Sequence, residues 1–67
     1  MKLTFIRKTN GSINGSCPAL YSTDDGRYVV QGKLLGDDER AQLRDLAADE
    51  TAVVVPADVI AGIVNGA

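Results

Sequence analysis

The chain has 67 residues, a net charge of −2, one cysteine and no histidine. These counts exclude an internal disulfide and any histidine-containing zinc site, two of the staples that small domains commonly use. The length supports one domain over residues 1–67, and a core this small is marginal alone, so self-association into a homodimer is expected.

Charge is unevenly divided. Residues 1–36 carry five cations and two anions, and residues 37–67 carry two cations and seven anions. Such a division can orient a partner, although a solvated surface of mixed sign explains it equally simply. The first residues are interrupted by Lys2 and Thr4, so no apolar secretory segment is read there. No apolar run approaches the roughly 20 residues of a membrane span. The expected setting is the reducing cytoplasm, with no membrane partner.

Residues 2–8 alternate loosely and predict a strand, with Leu3 and Phe5 on one face, Thr4 and Lys8 on the other, and Phe5 as the largest core contributor. The segment 9–16 holds two Asn-Gly pairs, which mark turns. Ile13 between them is a candidate loop anchor. A Gly/Asn-rich loop can hold an anion on backbone N–H groups, but a plain connector is the simpler reading.

Two runs suited to strands, around residues 19–23 and 28–31, flank Asp25-Gly26. A two-residue loop with positive φ at both positions is expected. Asp24 then pairs with Arg27, Tyr21 with Val30 and Ala19 with Gly32. That register puts Ala19, Tyr21, Thr23, Tyr28 and Val30 on one face, taken as buried because both tyrosines lie on it. A three-residue loop, Asp24 to Gly26 with a bulge, is the alternative, and it puts Tyr21 and Tyr28 on opposite faces. Pro18 lacks a ladder donor and belongs at a strand start or an edge.

Residues 36–49 predict a helix, with Asp37 as N-cap, Asp38 and Glu39 in its first turn, and Leu43, Leu46 and Ala47 as a narrow apolar stripe. Residues 51–55 are β-branched and read as a central or covered strand stopped by Pro56. Residues 57–64 predict two helical turns, weakened by Gly62. Residues 65–67 read as a frayed end. The order is strand, hairpin, helix, strand, helix. The expected class is α+β: a small antiparallel sheet of three to four strands with a central hairpin and one or two short helices packed on one face.

Chemistry is sparse. With no His, acid–base work would fall to carboxylates, and Asp24-Asp25 and Asp37-Asp38-Glu39 are already explained by a turn and a helix start. Cys17 has no base or cation beside it in sequence, so a small buried apolar residue is its simplest role, with a redox or small-ligand sensor as the alternative. No cofactor or metal is expected. Direct nucleic-acid binding is not expected either, since the pI is near 4.7 and the cations are few. A DNA-binding β-ribbon would need Arg7, Lys8, Arg27 and Lys33 on one face.

Cys17-Pro18-Ala19-Leu20-Tyr21 followed by Tyr28-Val29-Val30-Gln31-Gly32 resembles a family of small actinobacterial proteins of unassigned function. The family includes the developmental regulator BldB, and its members are commonly encoded beside helix-turn-helix regulators. The resemblance extends to Phe5-Ile6-Arg7-Lys8 and to Glu50-Thr51-Ala52-Val53 leading to Val55-Pro56, about 50 residues in all. The family often has Trp where Phe5 stands and Ser-rich sequence at Thr9-Asn10. The resemblance implies a non-enzymatic regulatory protein that binds such a regulator, with toxin–antitoxin-like pairing as a related possibility. The residues matching the pattern, and so the candidates for contact, are Arg7, Lys8, Cys17, Pro18, Tyr21, Tyr28, Val29, Gln31 and Gly32.

Overall fold

A computed structural model describes residues 1–10 and 17–63. The Asn-Gly-Ser repeat beyond Asn10, with Ile13, and the expected frayed end at 65–67 lie outside the described residues. The described strands are β1 (Leu3–Lys8), β2 (Ala19–Thr23), β3 (Tyr28–Gln31), β4 (Lys33–Leu34) and β5 (Val53–Val54). One helical turn, α1 (Asp37–Arg40), and one 3-10 turn (Ala57–Val59) complete the set. The architecture is thus mostly antiparallel β with minor helix. The strands form a three-stranded sheet in the order β1-β2-β3 and a two-stranded sheet of β4 and β5.

The hairpin closes through the three-residue loop, not the two-residue one. Ala19 pairs with Gln31, Leu20 with Val30, Tyr21 with Val29 and Ser22 with Tyr28. The Thr23 N–H donates to the Arg27 carbonyl at 2.9 Å, and the Gly26 N–H donates to the Thr23 carbonyl at 3.3 Å. Only Gly26 needs positive φ, at 89°. Asp25 is spared the left-handed region, which a two-residue loop would have forced on it. The Thr23 hydroxyl also accepts the Arg27 N–H at 2.8 Å and donates to the Asp25 carboxylate. This register puts Tyr21 and Tyr28 on opposite faces, so the expected shared face is corrected.

A bulge then re-aims β1. Phe5 lies opposite Tyr21, but Arg7 lies opposite Leu20 and Lys8 opposite Ala19, so one extra residue sits between the two registers. The insertion reverses the alternation. Lys8 joins Leu3 and Phe5 instead of Thr4, and Arg7 turns to the other face. The rows Leu3-Thr23-Arg27, Phe5-Tyr21-Val29 and Lys8-Ala19-Gln31 therefore share one face. Thr4-Ser22-Tyr28 and Arg7-Leu20-Val30 share the opposite one.

The core lies at the Leu20 end of that second face. Leu20 is 1% exposed and Val59 is fully buried. The Arg7 guanidinium donates to the Ala61 carbonyl, tying the C-terminal segment to this side. At the end of β3, a Cβ built on Gly32 would lie 2.6 Å from the Val54 carbonyl oxygen and 2.5 Å from Val55 Cγ1. The chain can run this close to β5 only because residue 32 has no side chain. β4 then leaves the first sheet and pairs with β5, Lys33 opposite Val54 and Leu34 opposite Val53. Residues 51–55 thus supply a two-residue strand in a second sheet, not a covered strand of the first.

The long helix is replaced by one turn. Gly36, not Asp37, is the N-cap, and its N–H donates to Glu39 Oε1 at 3.0 Å. After α1 the bonds shorten to the 3-10 type, from Gln42 N–H to Glu39 and from Leu43 N–H to Arg40. The narrow Leu43/Leu46/Ala47 stripe does not bury a helical face: Leu46 is exposed and Leu43 half-buried. Asp45 adopts φ 55°, which ends helical propagation. The second predicted helix is reduced to the 3-10 turn after Pro56.

Two glycines separate two kinds of constraint. Gly26→Ala meets open space but incurs left-handed strain of about 1–2 kcal/mol. Gly32→Ala meets backbone and should cost about 1–3 kcal/mol by overpacking. Gly32→Ala is also expected to loosen β4 and β5 preferentially. Urea denaturation gives the two losses, and amide exchange at Leu34 and Val53 distinguishes them.

Candidate interaction surface

The sheet face opposite Leu20 is open at its Leu3-Phe5 end, while Ala19, at its other end, is 3% exposed. Phe5 is 56% exposed and Leu3 45% exposed, so Phe5 is a surface residue, not the main core contributor. Phe5 meets Tyr21 edge-on, with ring centroids 5.8 Å apart and planes at 72°. This geometry aligns the positive ring edge with the negative ring face. Val29 continues the same row, half-buried. The polar groups on the face satisfy one another. The Tyr21 hydroxyl donates to Gln31 Oε1 at 2.9 Å, and Gln31 Nε2 donates to the Cys17 carbonyl at 3.2 Å.

The sequence candidates therefore separate by place. Lys8, Tyr21, Val29 and Gln31 share the open face, and half-buried Cys17 is tied to it through its carbonyl. Tyr28 is exposed on the opposite face, and Arg7 is held there against Ala61. Pro18 immediately precedes β2, and its carbonyl accepts the Thr9 N–H at 2.9 Å. Gly32 is the pivot between the sheets. The four cations of a DNA-reading ribbon are dispersed. Arg7 and Lys8 face opposite ways, Arg27 is paired with Asp25, and Lys33 belongs to the second sheet.

A polar clasp closes the other end of the molecule. Thr9 is 5% exposed, and its hydroxyl donates to the Asp58 carboxylate at 3.0 and 3.2 Å. The Asn10 N–H donates to Asp58 Oδ2 at 3.0 Å. The Asn10 amide holds the Asp58 carboxyl below its ordinary value, desolvation opposes this, and the Thr9 hydroxyl reinforces it. At the hairpin tip, the Arg27 guanidinium and then the Thr23 hydroxyl lower Asp25 in the same way. No sequence motif marks Thr9 and Asp58 as partners, because 49 positions separate them.

Among the described residues, no group of three or more His, Cys, Asp and Glu side chains is placed to hold a metal ion. No described helix is long and apolar enough to cross a membrane. Compared with known proteins, the chain matches no family model, no curated protein and no solved structure.

The clasp has a signed pH dependence. A carboxyl whose folded value is depressed stabilises the fold above its unfolded value and loses that contribution as pH falls through the folded one. Wild-type stability should therefore fall on acidification, beginning as pH drops through the ordinary carboxylate range and continuing below it. Asp58→Asn should be less stable than wild type at neutral pH and approach it in acid. Denaturant midpoints across this range check the convergence. Parallel curves would remove the clasp from the acid response and leave it to Asp25.

Proposed function

We propose that this protein is a non-enzymatic regulatory accessory protein of the cytoplasm that binds a helix-turn-helix transcription regulator. The observation that carries the reading is the acidic segment from residue 37 to residue 50. It holds six carboxylates against two guanidiniums. Its side chains are exposed except for half-buried Leu43. Local turns hold it: the Ala47 N–H donates to Glu50 Oε1 at 2.9 Å and the Glu50 N–H to the Ala47 carbonyl at 3.0 Å. Short-range bonds keep the carboxylates displayed without burying them.

Such a surface is complementary to a protein that presents cations, as DNA-reading domains do to match phosphate. The resemblance of the Cys17–Tyr21 and Tyr28–Gly32 segments to proteins encoded beside helix-turn-helix regulators supports the same class of partner. In this reading the carboxylates engage the regulator's cationic surface and compete with DNA for it.

The test is capture with tagged protein from native lysate after nuclease treatment, read by mass spectrometry. A helix-turn-helix regulator in stoichiometric amount is expected with wild type. Capture should weaken with salt and drop about tenfold in the Asp37→Lys, Asp38→Lys, Asp49→Lys variant, which reverses charge at the contact rim. Glu39 and Glu50 are left intact because their carboxylates hold backbone N–H groups. Absence of a regulator, or recovery only without nuclease, would refute the proposal.

A further inference from the structure

We draw no further inference here: the strongest candidate, the exposed apolar patch at the Leu3-Phe5 end of the three-stranded sheet, carries nothing because nothing in the structure shows what covers it.

Discussion

At Gly32 the backbone passes within contact distance of the Val54 carbonyl and the Val53 and Val55 side chains. That approach turns the end of β3 away from the first sheet and delivers β4 to β5. It holds the valine-rich segment, and the Pro56 turn that follows, close to the first sheet. On the Leu20-Val30 side, Arg7 then binds the Ala61 carbonyl, and Leu20 and Val59 are both buried. Burial is thereby concentrated at the Ala19-Leu20 end of the three-stranded sheet, while Phe5 on one face and Tyr28 on the other stay exposed toward the hairpin end.

The bulge in β1 completes the same division. Without the register shift after Phe5, Arg7 would stand on the open face and Lys8 on the closed one. With it, the guanidinium reaches the Ala61 carbonyl, and Lys8 joins the Phe5 face. The apolar sheet face and the acidic turns at 37–50 then offer chemically distinct contacts. The first is apolar and aromatic at its exposed end, and the second is acidic and almost wholly exposed.

Local features of this fold were legible in the residues. Alternation in 2–8, the Asp25-Gly26 turn and the β-branched run before Pro56 each act within a few positions, and each marks a strand or turn that forms. The errors arose where two local solutions compete or where the partner is remote. Asp25-Gly26 fits either a two- or a three-residue loop, and the choice rests on Asp25 avoiding positive φ while Thr23 binds Arg27 and Asp25. The 37–50 segment has helix formers and a good acidic start, but its narrow leucine stripe finds too little to pack on, and packing carries most helical stability. Of the candidate surface, Tyr21, Val29 and Gln31 are brought together only by the three-residue loop; the two-residue register separates Tyr21 from the other two. Phe5 was misplaced because large aromatics are usually read as core, and the Thr9–Asp58 clasp has no signature at a separation of 49 residues.

That separation also bears on how the chain reaches its fold. Arg7 meets Ala61 across 54 positions, and Thr9 meets Asp58 across 49. The hairpin, by contrast, joins residues only a few apart and can form in microseconds. Its sheet can therefore assemble while the chain is still growing, but β1 has no anchor on its far side until residue 61 has been made. Until then the Leu20-Val30 row lacks the C-terminal segment that Arg7 holds beside it, and contacts at this sequence separation carry the loop-closure cost that slows folding.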